Sequence, residues 1–307
     1  MILAEVVRSG FVESRHHGCV VVLDASGAVT ASAGDVTGPI FPRSANKPLQ
    51  TVGMLRAGLD PTEPADLALI SGSHYGEPFH VRRVRAILRS AGLDEDALRC
   101  PADLPLSVRE RTAVLHAGGA PAPLFMNCSG KHAGMLATCV ANGWSLNDYV
   151  DAKHPLQIAL AGAVADMAGE PVAATGVDGC GAPVFAVSLT ALARAFLRLV
   201  DAAPGTPDRR TADEMRSHPE LVAGTGADDT RLMRAVPRLL AKGGAEGVVA
   251  VAVPGAGAVA IKIGDGAMRA RTPVLLSALQ KLGVAVPAMT EPVLGGGQPV
   301  GEVRAAW

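Results

Sequence analysis

Ser44 and Lys47 stand three residues apart in Pro42-Arg43-Ser44-Ala45-Asn46-Lys47, where a proline-containing loop gives way to a helical pattern. Residues three apart on a helix share one face, so both side chains belong to the same first turn. A serine hydroxyl is a weak nucleophile until a neighbouring group takes its proton. A lysine can be that group if burial or a nearby cation keeps its amine neutral. The start of a helix also offers free backbone N–H groups to a developing oxyanion. The plainer reading of the same residues is a helix-capping serine beside a solvated lysine.

Two further elements extend the first. Ser73-His74-Tyr75 follows a short apolar run and is flanked by Gly72 and Gly76, which places Ser73 in a loop. Lys262-Ile263-Gly264 closes an expected strand on which Ala258, Ala260 and Lys262 share a face, leaving room for a ligand above the alanines. Penicillin-recognising serine enzymes carry S-x-x-K, then S-D-N, then K-T-G. This chain carries S-A-N-K, S-H-Y and K-I-G in that order, a loose match at the second and third elements. An exposed edge-strand lysine is the ordinary alternative for Lys262.

A second group gathers around two cysteines. Cys128 opens the helical segment Ser129-Gly130-Lys131-His132, and Cys180 lies in the glycine turn Asp178-Gly179-Cys180-Gly181. Gly130-Lys131 is not a phosphate-binding loop, because His132 stands where Ser or Thr is needed and no glycine lies five residues before Gly130. Two thiolates could share a zinc ion with a third ligand, for which spacing nominates His132 before Lys131; buried, metal-free cysteines fit the spacing as well. Cys19, Cys100 and Cys139 lie in or beside apolar runs and read as core fillers.

These groups must be held by a sizeable core. The chain has 307 residues, 49% of them hydrophobic and 19% charged, with a net charge of −1 and a pI near 6.7. Aromatics amount to only 3%, so Ala, Val and Leu must fill the interior. Neither a basic excess nor a base-stacking surface is available for nucleic acid. No apolar stretch is long enough for a membrane span, the first residues do not read as a signal peptide, and five dispersed cysteines do not form a disulfide framework. The expected location is the cytoplasm.

Strands are expected at 2–7, 18–23, 28–32, 248–253 and 258–263, the last two joined by Pro254-Gly255-Ala256-Gly257. Helices are expected from Ala45 and near 79–92, 108–117, 130–142, 155–168, 184–200, 208–217 and 228–241. Strands at both chain ends with helices between describe an α+β class, with one central antiparallel sheet shared by the N- and C-terminal strands in a single domain over residues 1–307.

At these residues the chain resembles the bacterial L-asparaginase II family of the Rhizobium etli type. The resemblance is carried by Arg8-Ser9-Gly10, Glu13 with His16, Pro42 to Gln50, Ser73-His74 with Gly76-Glu77, Cys128 to Met135, Asp178 to Pro183, His218 to Gly224, and Lys262 before Asp265-Gly266. It implies a fold like serine β-lactamases and glutaminases, a homodimer, and L-asparagine as substrate. It implies two Ser–Lys pairs, Ser44 with Lys47 and Ser73 with Lys262. It also implies a zinc ion on Cys128, Lys131 and Cys180, and substrate-binding positions at Arg43, His132 and Asp178, with His74 close by. Rival readings are a glutaminase or β-lactam-acting serine hydrolase on the same fold, a hydrolase whose zinc activates water, and a catalytically silent amino-acid-binding protein.

Overall fold

The structure, a computed structural model, describes residues Met1–Trp307. The chain gathers into two compact units. The first comprises Met1–Ala45, Val187–Asp201 and Leu232–Trp307; the second comprises Asn46–Ala186 and Ala202–Arg231.

The first unit is built on an eight-stranded antiparallel sheet. Its order is Glu291–Gly295, Gln298–Ala305, Ile2–Arg8, Phe11–Asp24, Gly257–Ile263, Val248–Val253 and Leu240–Gly244, with Val29–Ala33 also paired to Phe11–Asp24. N- and C-terminal strands therefore do share one sheet. Ser9 and Gly10 both take positive φ, 49° and 83°, at the tight turn that folds Phe11–Asp24 back on Ile2–Arg8. Phe11–Asp24 then changes partner. Its first half pairs with Ile2–Arg8 and its second half, from Gly18, with Gly257–Ile263. A Cβ at Gly18 would lie 2.2 Å from the Lys262 carbonyl, so the crossover requires glycine. Val20 to Leu23 are completely buried, as are Ala258 to Ile261. Sheet residues covered on both faces read as continuous apolar runs, not as alternation. Helices Leu189–Asp201 and Arg271–Lys281 pack on this sheet.

The completely buried Ala258 and Ala260 correct one expectation. The face they share with Lys262 is filled by protein and leaves no ligand space above them.

The second unit is mainly helical. Its longer helices are Lys47–Arg56, Pro78–Ser90, Val108–His116, Ser129–Asn142, Pro155–Ala168 and Pro207–Ser217, with the short helices Asp66–Ile70 and Pro219–Val222. Proline occupies the first turn of five of these helices (Pro48, Pro78, Pro155, Pro207 and Pro219), where the missing N–H costs nothing. Gly53 lets Lys47–Arg56 approach Pro155–Ala168, because a Cβ there would lie 2.8 Å from Leu160. Helix Ser129–Asn142 closes on Asp66–Ile70 through Gly130 and Gly134, whose added Cβ atoms would meet Leu69 and Ile70 at 2.8 Å.

Two expected helices prove to be part strand. The segment expected to be helical over 184–200 is helical only from Leu189; Pro183–Ser188 is a strand that pairs with Ala174–Val177. Its Val184, Phe185 and Val187 favour extended backbone. The segment expected to be helical over 228–241 stops at Ala235, ahead of Pro237, and Leu240–Gly244 is the last strand of the large sheet. No helix is long and apolar enough to cross a membrane.

Candidate functional site

In the second unit, Lys47 is 1% exposed and opens its helix. Its Nζ donates to the Gly72 carbonyl at 2.5 Å and lies 2.9 Å from Ser73 Oγ. The Ser73 loop that receives it is clamped from two sides. Ser73 N donates to Val222 O at 2.7 Å and Tyr75 N to Ala223 O at 2.8 Å, while His74 N donates to Asn127 O at 3.1 Å. Gly72 is required where this loop passes the His218–Gly224 motif, since a Cβ would lie 2.7 Å from Leu221 O and 2.8 Å from Val222 O.

His74 is completely buried and both its ring nitrogens are engaged. Gly76 N donates to Nδ1 at 3.1 Å, so Nε2 carries the hydrogen and meets Ser129 Oγ at 2.8 Å. His80 repeats the pattern, accepting from Glu77 N at Nδ1 and facing Glu220 O through Nε2 at 2.8 Å. The two rings stack at 5.2 Å. Burial is the main cause that lowers both pKa values beneath the ordinary 6.5, and for His74 the charges of His80 and Lys47 add to it. Protonation would place a second hydrogen on Nδ1, which must accept a backbone N–H. Because each folded-state pKa lies below the unfolded one, the unfolded chain binds more protons, and stability is full above about pH 6.5 and falls as pH drops from there through the folded values. Tm measured from about pH 8 to about pH 5 should therefore decline below about pH 6.5; a Tm constant over this interval would contradict the neutral assignment.

Cys128, Lys131, His132 and Cys180 form a buried cluster in the same unit, none of them more than 3% exposed. Lys131 Nζ donates to Cys180 Sγ at 3.1 Å. Cys180 sits in a turn closed by the Gly181 N–H on Asp178 O at 2.8 Å, with Gly181 at φ 86°. Hydrogen bonding from Cys128 and the Lys131 ammonium lower the Cys180 thiol despite burial, while the Cys180 sulfur and burial raise Cys128, whose Sγ also lies 3.0 Å from Asn127 Oδ1. Burial alone would lower Lys131; the Cys180 and Cys128 sulfurs override it and hold the ammonium firmly charged. His132 Nδ1 lies 2.6 Å from Tyr149 Oη, and the ring also interacts with the Cys180 sulfur. No group of three His, Cys, Asp or Glu side chains is arranged to hold a metal ion. Two sulfurs and one amine do converge, and this donor set fits a zinc ion.

In the first unit, Arg43 and Ser44 are half-buried in a 3₁₀ turn. Arg43 has φ 51°, a backbone conformation that non-glycine residues seldom adopt and that is found at functional turns. The strand Leu240–Gly244 ends against this turn. A Cβ at Gly244 would lie 2.6 Å from Pro42 O, 3.2 Å from Ala45 N and 3.3 Å from Ser44 N. Two residues earlier on the same strand is Lys242, 1% exposed, with Nζ donating to Gly243 O at 2.6 Å. Lys242-Gly243-Gly244 has the K-x-G spacing that drew attention to Lys262-Ile263-Gly264.

Lys262 is placed differently. Strand Val248–Val253 lies between its strand and Leu240–Gly244. It pairs with Val248 and Cys19, is half-buried, and donates to the Glu246 carbonyl in the turn after Gly244. Burial lowers its pKa, and nearby Arg43 acts in the same direction. The structure thus supplies a buried lysine on the strand that touches the Ser44 turn, and sequence reasoning passed over it. Its K-x-G spacing was the available signal.

Residues 4–305 match the L-asparaginase II family, and the chain belongs to that family. A search of curated protein sequences returns no match. Among solved structures, the chain is similar to a β-lactamase from Mycobacterium bovis, with 16% identity, a TM-score of 0.48, and 86% of this chain and 94% of that one covered. It is also similar to a simvastatin synthase from Aspergillus terreus, with 13% identity, a TM-score of 0.43, and 86% and 90% of the two chains covered. A third similar structure is the protein Mglu, with 17% identity, a TM-score of 0.38, and 86% and 67% covered.

Proposed function

We propose that the chain hydrolyses the side-chain amide of L-asparagine to aspartate and ammonia through an acyl-enzyme on Ser44. The observation that carries this reading is the buried Lys47 amine, held 2.9 Å from Ser73 Oγ and opening its helix three residues after Ser44. In its neutral form Lys47 takes the Ser44 hydroxyl proton while Oγ attacks the amide carbon, and backbone N–H groups at the turn stabilise the oxyanion. The proton passes to the departing nitrogen and ammonia leaves. Water, deprotonated by the same amine, then attacks the ester, and aspartate is released. Ser73 relays protons to and from Lys47. A second lysine adds positive charge on the Ser44 side of the site. Lys242 is assigned that role in preference to Lys262, because it is buried on the strand that abuts the Ser44 turn.

Arg43 is assigned to the substrate α-carboxylate and Asp178 to its α-ammonium group, with His132 donating a hydrogen bond. His74 supports these groups by holding the Ser73 loop, since both its ring nitrogens are spent within the protein. Cys128, Lys131 and Cys180 would hold a zinc ion that, when bound, orders the two segments carrying His132 and Asp178. The enzyme is taken to work as a homodimer.

Comparing ammonia release from asparagine and glutamine, with β-lactam hydrolysis alongside, tests the substrate. An extra methylene is worth roughly 10- to 200-fold in a fitted pocket, so kcat/KM should favour asparagine by at least about tenfold. Equal or greater glutamine turnover would make this a glutaminase. Ligand binding without ammonia release would make it a binding protein.

A further inference from the structure

A cavity of about 680 Å³ lies in the second unit, between the helix Pro78–Ser90 and the segments that carry Glu63 and Glu220. That volume suits a small molecule. Phe79 and Leu221 supply apolar wall. Asp66, also in the lining, is 4% exposed; it accepts from Arg83 at 2.6 Å and from the Glu63 N–H at 3.3 Å. Arg83 is therefore spent on Asp66, and Glu220 is faced by His218 at 4.0 Å. The remaining charges of the lining are the Arg82 guanidinium and the Glu63 carboxylate, one of each sign and both exposed. A molecule with one carboxylate and one ammonium complements this pair, and its apolar remainder would rest on Phe79 and Leu221. Aspartate fits less well, because its second carboxylate finds no free cation there.

The walls of this cavity also hold the Ser73 loop. On the helix side, the His80 ring lies 4.1 Å from that of Phe79, stacks on His74 and donates from Nε2 to Glu220 O at 2.8 Å. On the other side, Leu221 runs into Val222 and Ala223, whose carbonyls accept from Ser73 N and Tyr75 N. We propose that the cavity is a second, regulatory binding site for a free amino acid with an apolar side chain, and that its occupation lowers KM for asparagine by holding together the two segments that clamp the Ser73 loop. The binding site stands apart from the reaction assigned above; its effect on KM rests on that reading. Coupling between sites is worth a factor of about 5 to 150, and here it has a continuous route of packed rings and backbone hydrogen bonds.

Titration calorimetry with L-phenylalanine tests the site, with phenylpropionate and phenethylamine as controls that lack the ammonium and the carboxylate respectively. L-Phenylalanine should bind with a Kd of about 1 mM or tighter, and each control at least about tenfold more weakly. Arg82→Gln and Glu63→Gln, both at exposed positions, should each weaken L-phenylalanine about tenfold. No binding, controls that bind equally well, or binding that both variants leave intact would overturn the proposal; the last result would seat the amino acid elsewhere, as in the asparagine site. This arm needs no turnover. In steady-state assays L-phenylalanine should lower KM for asparagine about fivefold or more in the wild-type protein and not in Arg82→Gln. Binding that leaves KM unchanged, or simple competition with asparagine, would overturn the regulatory role. Absence of asparagine turnover, with L-phenylalanine bound as expected, would refute the substrate reading and leave the second site standing.

Discussion

Lys47→Ala is expected to lower kcat/KM for asparagine by about 10³-fold or more, while the protein remains folded. General-base assistance is worth about 10²- to 10⁴-fold, and nucleophilic catalysis by serine fails without a proton acceptor. Lys47 is the residue whose amine can serve: it is 1% exposed and held on Ser73 Oγ and the Gly72 carbonyl. Truncation also leaves Gly72 O without that donor, and an orphaned buried acceptor costs about 1–3 kcal/mol. A fall in Tm of a few degrees should therefore accompany the loss of activity. Lys47→Met, which keeps the volume but not the amine, should be equally inactive. Steady-state ammonia release decides the matter, and a rate within about tenfold of wild type would remove Lys47 from the mechanism.

The second large effect separates two lysines. Lys242→Met should reduce kcat/KM by about 10²-fold or more, whereas Lys262→Met should stay within about threefold. Lys242 is buried on the strand whose Gly244 abuts the Ser44 turn, which is the ground for assigning it as the second lysine of the site. Lys262 is tied to the Glu246 carbonyl two strands away in the sheet order. Parallel kinetics on both variants, with circular dichroism to confirm folding, test the assignment. The reverse ranking would return the second Ser–Lys pair to Ser73 and Lys262.

The first strand, the Val248–Ile263 hairpin and the helix start after Ser44 were legible because their signals are local, whereas the C-terminal strands Glu291–Gly295 and Gln298–Ala305 were not among the expected strands. Val248–Val253 and Gly257–Ile263 are apolar runs separated by a proline–glycine turn, and they fold as that pattern dictates. Leu240–Gly244 was not legible. It is short, follows directly on a helical pattern, and contains one lysine and two glycines, which are poor strand formers. Periodicity cannot separate so short an apolar run from the end of a helix, and Lys242 was hidden with its strand. Pro183–Ser188 was lost to the neighbouring helix in the same way.

Parts of the site were invisible for a different reason. Lys131 and Cys180 are separated by 48 intervening residues, and His132 and Tyr149 by 16, so only the fold reveals that they touch. Spacing nominated His132 as a metal ligand because histidine is the commoner one. In the fold both neighbours reach the same sulfur: Lys131 Nζ donates to Cys180 Sγ, and the His132 ring interacts with it too. His74, which the resemblance places close to the substrate positions, has both ring nitrogens hydrogen-bonded within the protein, contacts no spacing in the sequence reveals.

The central claim is that Ser44 carries the acyl group. Rapid quenching of the enzyme with asparagine, followed by proteolysis and mass analysis of the peptides, tests it most directly. An aspartyl adduct should appear on the peptide containing Ser44, accumulate before steady state, and vanish in Ser44→Ala together with ammonia release. An adduct on the Ser73 peptide, or full turnover by Ser44→Ala, would contradict the account.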